Sequence, residues 1–246
     1  NHFDMTFALL PILDTMMDLY QKPRTYERFQ EFLLSLQGDN QGDLVLPIMG
    51  FNPMAKEHIL EKLFELKALE IEPIMDQTLN ELNKKLKSEH TDQNYKVAFN
   101  LLDDLKGSWT NRFISDYDNK FKIGGLINRN FCTPLFWASE DYSIEKIKIR
   151  TLESAYRALY WQTKRNPTTL KEHVEQEKFI GKEVGFNKHI SDGEYMQLDE
   201  FYKKNQLQDN FNLIFNFFYG NEASKSLAFA NFGLNSKATG YDYCYK

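Results

Sequence analysis

Cysteine is scarce in this sequence: Cys132 and Cys244 are the two among 246 residues. Two thiols build no disulfide framework, and their spacing is not that of a zinc site. A basic excess is missing as well. The chain carries 30 Lys and Arg against 35 Asp and Glu, a formal charge of −5, which argues against nucleic acid or an anionic membrane as partner. No apolar run approaches the ~20 residues of a membrane span; Phe7–Leu13 is broken by Pro11 and Phe211–Tyr219 by Asn216. No Asn-x-Ser/Thr sequon occurs, since Asn166 is followed by Pro167. The first residues, Asn1-His2-Phe3-Asp4, lack both an initiator Met and a basic leader. A cytoplasmic protein is therefore expected, with export after removal of a signal as the alternative. Glycine-rich phosphate loops, HExxH, GxSxG, CxxC, EF-hand loops and dinucleotide fingerprints are all missing, which removes the commonest NTPases, zinc proteases, α/β-hydrolases and redox enzymes.

Aromatic side chains are abundant instead: 20 Phe, 13 Tyr and 3 Trp, or 15% of the chain. With 42% hydrophobic and 26% charged residues, the composition is that of a folded globular chain. Its length suits a single domain over 1–246, with a subdivision into a helical lobe, 1–107, and a lobe of hairpin and helices, 108–246.

Apolar residues recur mostly at steps of three and four, the helical period. Arg24–Gln37, Pro53–Leu69 and Ile71–Leu86 carry such stripes, and Tyr95–Leu105 reads as a further amphipathic helix. Leu44–Met49, between Gly42 and Gly50, reads as extended. From Trp109 to Glu140 the period fades, and Gly124-Gly125 between apolar residues predicts a two-residue hairpin turn. Helices resume at Ser143–Gln162, Thr169–Val184, Glu194–Lys204, Asp209–Phe218 and Asn221–Ala230. Thr169 and Glu172 have capping-box spacing, and Gly233–Lys246 is assigned no regular structure. The expected fold is mainly α, a multi-helix globular domain with a small antiparallel β-hairpin insertion.

Candidate functional residues are polar groups on faces that should be buried. On Thr169–Val184, with Leu170 at 0°, Val174 lies at ~40°, Glu177 at ~340° and His173 at ~300°. A histidine and a glutamate one turn apart on a buried stripe need partners. They form a structural pair, a divalent-metal or acid/base site, or the wall of a cleft. By the same geometry His58 and Glu61 fall on a solvated face, and Glu153 and Arg157 form a surface pair. Trp161 projects on a polar flank and needs cover. The 109–140 segment mixes planar amides, arginines and aromatics: Trp109, Asn111, Arg112, Arg129, Asn130 and Trp137. With Trp161, these are the residue types that hold a sugar or a nucleotide, although Asn and Asp also serve an irregular backbone. Cys132 beside Thr133-Pro134 raises a cysteine–histidine nucleophile with His173.

Three functions follow. The first is a polar small molecule or protein partner bound through residues 109–140, where Asn111, Arg112, Asn130 and Trp137 should line one pocket. The second is a hydrolase-type enzyme with His173 and Glu177 as metal ligands or acid and base, Arg112 or Arg129 stabilising developing negative charge. The third is an interaction module whose aromatics fill a core or a dimer interface.

Overall fold

The computed structural model describes residues 5–86, 93–105, 110–164, 166–234 and 236–246. The chain forms two compact units: Asn1–Asn119 with Ile123–Leu159, and Lys120–Lys122 with Tyr160–Lys246. The contacts thus divide near residue 159 rather than at 107. Most described residues are helical, and no helix among them is long and apolar enough to cross a membrane.

Unit 1 opens with strand β1 (Met5–Leu9) and helices α1 (Leu13–Gln21), α2 (Tyr26–Gln37), α3 (Glu57–Ala68) and α4 (Ile71–Leu86). Strands β2 (Gln93–Val97) and β3 (Asn100–Leu102) follow, then α5 (Arg112–Phe121) and α6 (Gly124–Ile127), then β4 (Phe131–Cys132) and β5 (Leu135–Trp137). Helix α7 (Ile144–Thr163) begins in this unit. All strand pairs are parallel: β1-β2-β4 in one sheet, β3-β5 in another. The two sheets share one path. Between them Ala98 N–H donates to Cys132 O (3.1 Å) and Asn100 N–H to Pro134 O (3.0 Å). Pro134 has no N–H to return, so the ladder is interrupted there.

The antiparallel hairpin expected at Gly124-Gly125 is not present. Neither glycine takes the positive φ that a two-residue hairpin turn demands, and both lie in the short helix α6. The helix expected over Tyr95–Leu105 is likewise two strands. In β2 burial alternates, Tyr95 and Val97 inside and Asn94 and Lys96 outside, whereas β3 is buried throughout, as in a parallel strand covered on both faces, which reads as a continuous apolar run. Leu44–Met49 forms no strand; Asn100 anchors its end, its side-chain amide donating to Pro47 O (2.7 Å) and its Oδ1 accepting from Gly50 N–H (2.8 Å). Helix α3 starts at Glu57, four residues after Pro53.

Two polar side chains complete this frame. β1 is an edge strand, and Asn83 of α4 pairs with both the N–H and the C=O of Phe7 (2.9 and 2.8 Å), satisfying backbone groups that an edge leaves open. Glu72 Oε1 accepts from the N–H groups of Ile12 and Leu13 (2.7 and 2.9 Å), where a carboxylate suits the positive end of α1.

Unit 2 contains α8 (Leu170–Val184), α9 (Asp192–Asn205), α10 (Phe211–Ser226) and α11 (Gly240–Cys244). Its core is aromatic: Phe215, Phe217 and Phe218 of α10 are fully buried, and Tyr243 and Tyr245 are nearly so. Helix α10 is broken at Gly220, whose φ of +81° and ψ of 179° are not helical. The break matches two expected helices, although the second ends at Ser226 and not at Ala230. α8 starts with a complete capping box between Thr169 and Glu172. Hydrogen bonds from the Thr169 backbone and from Thr168 hold the Glu172 carboxyl at about 2. A Glu172→Gln variant should lose about 1 kcal/mol at neutral pH. The depressed carboxyl contributes stability above its ordinary value near 4.5, and that contribution disappears as pH falls towards 2. Urea melts of both proteins should therefore differ at pH 7 and draw steadily together as pH falls from 4.5 towards 2.

Candidate functional site

In unit 1 the polar groups converge at the carboxyl ends of β3 and β5. The apolar strands run into Asp103-Asp104 and into Ser139-Glu140 respectively, while Leu102, Leu135 and Trp137 form a buried cluster beneath. Arg112, the first residue of α5, joins the two loops. Its Nη1 donates to Asp104 Oδ2 (2.7 Å) and to Ser139 Oγ (2.9 Å), its Nη2 donates to Glu140 Oε1, and its guanidinium lies 5.0 Å from the Trp137 ring centroid. Asp104 holds Ser139 twice, through the backbone N–H (3.0 Å) and the hydroxyl (2.6 Å).

Glu140 is the hub of the other half. Arg150 Nη2 donates to both carboxylate oxygens (3.2 and 3.1 Å), and Lys146 Nζ lies 3.2 Å from Oε2. Burial alone would push this carboxyl up, but Arg150, Lys146 and Arg112 outweigh it and hold it below the usual carboxylate range. α3 adds two residues from the same face. Lys62 Nζ donates to the Glu140 carbonyl (3.1 Å), and His58 Nε2 lies 2.9 Å from Asp103 Oδ1. The wheel position of His58 predicts solvent exposure, but its side chain is only 10% exposed, because Asp103 covers that flank of the helix. Glu61 is exposed as expected.

The proposed 109–140 pocket is only partly assembled. Arg112 and Trp137 meet, but Trp137 is buried under the guanidinium and offers no open stacking face. Asn111 caps α5, its Oδ1 accepting from Ile114 N–H (3.1 Å). Asn130 is exposed at φ +56° and precedes β4, so it sits at the amino end of the strand path that Trp137 closes, on the order of 20 Å away at ~3.3 Å per residue. Arg129 lies at that same end, bonded to Asp43 (2.7 and 2.9 Å) and to Gly125 O. Trp109 lies outside the described residues.

The other candidates are held in place by neighbours. In unit 2, His173 and Glu177 are both buried. His173 Nδ1 faces the Thr169 carbonyl at 2.7 Å and so carries the proton; burial outweighs this bond and lowers its pKa. Glu177 Oε2 accepts from the Tyr245 hydroxyl (2.6 Å) and Oε1 from Gln176 Nε2 (3.1 Å). Trp161 finds its cover in Gln176, whose Oε1 accepts its indole N–H (2.9 Å). Among the described residues no group of three or more His, Cys, Asp or Glu is placed to hold a metal ion. In unit 1, Arg157 is buried and not a surface residue, 4.0 Å from Glu153. It lines a cavity of about 10 Å³ with Cys132, Ser154, Asn119 and Thr133, room for a single water. Burial pushes the Cys132 thiol up to about 12, so it is no nucleophile at neutral pH.

Asp103, Asp104, Lys146 and Arg150 belong to this site without standing out by helical spacing. A readable signal existed for the first two: paired acids directly after the apolar run 95–102. No family model, curated protein or solved structure matches this chain.

Proposed function

We propose that unit 1 binds a polar small molecule at the carboxyl ends of β3 and β5, with Arg112 and Ser139 as its first contacts. The observation that carries this reading is the half-exposed Arg112, fixed by two carboxylates and a hydroxyl where two parallel strands end. In α/β sheets that edge is where ligands sit, because loops leaving successive parallel strands converge there. Fixing the guanidinium beforehand lowers the ordering cost of binding. The reading retains Arg112 and Trp137 from the 109–140 segment and places no chemistry on His173, bonded to the Thr169 carbonyl, or on Glu177, bonded to Gln176 and Tyr245.

The test is a titration of the whole protein with glucose, adenosine monophosphate and glutamate, followed by NMR at the Arg112 side-chain N–H and the Trp137 indole. A saturable shift at both positions by at least one compound, with Trp161 unmoved, is expected. Shifts confined to unit 2, or none, would overturn the assignment.

A further inference from the structure

We infer that the ligand of this site presents an oxyanion, a phosphate or a carboxylate, to Arg112, Arg150 and Lys146. The inference rests on the reading above and concerns the chemistry of that same site. It comes from the layering of charge. The carboxylates are the inner layer: the side chains of Asp104 and Glu140 are 7% and 13% exposed. The cations are the outer layer, at 39% for Arg112, 37% for Lys146 and 22% for Arg150. The groups turned to solvent are therefore almost all donors, since guanidinium and ammonium accept nothing. Ser139 adds a hydroxyl that already donates inward to Asp104 and accepts from Arg112.

Unused donors remain in this outer layer. Among the described residues, Nε of Arg112 and Nε of Arg150 bond to nothing, their terminal nitrogens being engaged by Asp104, Glu140, Ser139 and the Leu135 carbonyl. Lys146 Nζ bonds Glu140 and the Asp141 carbonyl. A molecule entering must supply acceptors to these N–H groups, and an oxyanion supplies the most in the smallest volume. Arg112 also opens α5, where peptide N–H groups favour a negative ligand.

The net field does not do this alone. Three cations over two carboxylates give 3 − 2 = +1, and Asp141, exposed beside Lys146, brings the sum to zero. From α3, the buried His58 faces Asp103 and Lys62 faces the exposed Glu65. Recognition is thus short-range, through directed donors, and specific over bulk anions.

Inorganic phosphate and glutarate should each be titrated into the intact protein at fixed ionic strength, with chloride as the balancing anion. The Nε–H signals of Arg112 and Arg150 should shift saturably with at least one of them, which also tells phosphate from carboxylate. Lys146→Gln, a change at a half-exposed position, should weaken that binding at least 3-fold with the melting temperature of unit 1 held within 2–3 °C. If glucose shifts these signals and neither anion does so beyond chloride, the oxyanion assignment falls while the ligand site stands. If none of the three shifts them, both fall.

Discussion

Removing residues 240–246 is expected to unfold unit 2 outright. This short segment supplies Tyr243 and Tyr245, 4% and 7% exposed, to an aromatic core. Each buried tyrosine removes roughly 150–250 Å² from water, so at ~25 cal/mol per Å² the pair contributes on the order of 10 kcal/mol as an upper bound. That matches the whole stability of a typical domain, about 5–15 kcal/mol. The segment is also bonded at every step. Tyr241 donates to the Tyr219 hydroxyl (2.8 Å), Tyr243 to Asp199 (2.9 Å), Tyr245 to Glu177 (2.6 Å), and Lys188 N–H donates to the Tyr245 carbonyl (2.8 Å). Tyr245 packs so closely on α8 that a Cβ at Gly181 would lie 2.6 Å from its ring. Loss of near-UV circular dichroism and of amide protection in α8 and α10 is the expected readout. A truncated chain that still melts cooperatively within a few degrees of the parent would contradict it. Tyr245→Phe isolates the hydroxyl: it keeps the ring and should cost about 1.5–3 kcal/mol, the range for a hydrogen bond to a carboxylate.

The aromatic excess and the inward turn of His173 and Glu177 were readable because helical spacing projects residues onto a face independently of what covers it. The stripes of α2, α4, α7 and α8 belong to the same category. The strands were not readable that way. β3, β4 and β5 span two or three residues each, too few for any period, and β3 is buried on both sides; β2 does alternate, with Tyr95 and Val97 buried and Asn94 and Lys96 exposed, but that short alternation runs directly into the unbroken buried stretch that follows Val97. Helix α5 did carry a signal: Ile114, Tyr117 and Phe121 keep helical spacing after Asn111, a preferred capping residue. The site was half readable. Arg112 and Trp137 stood in an aromatic and polar segment, but the step from segment to site needs strand direction. Parallel strands send Trp137 and Leu102 to one edge and leave Arg129 and Asn130 at the other. His58 shows the complementary failure: its wheel position is polar, and only Asp103, arriving from β3, makes that flank buried.

Glu140→Gln should cost unit 1 about 2–3 kcal/mol at pH 7, with a fall in melting temperature of roughly 5–10 °C. The substitution keeps the shape of the side chain and removes the charge that holds Arg112, Arg150 and Lys146 together. Breaking a fully buried ion pair costs ~3–5 kcal/mol; the partners here are 22–39% exposed, so solvent recovers part of the loss. The pH dependence distinguishes this from a packing defect. The Glu140 carboxyl is depressed in the folded protein, so its contribution is present above the ordinary value near 4.5 and is lost as pH falls through the folded-state value. The gap between the two proteins should therefore be full at pH 7 and narrow progressively as pH falls below the ordinary value near 4.5. A gap constant down to pH 3 would mean that the carboxylate charge is not what holds the three cations in register. In that case the layered arrangement at the strand ends would owe its geometry to packing alone, and Arg112 would not be fixed in advance for a ligand.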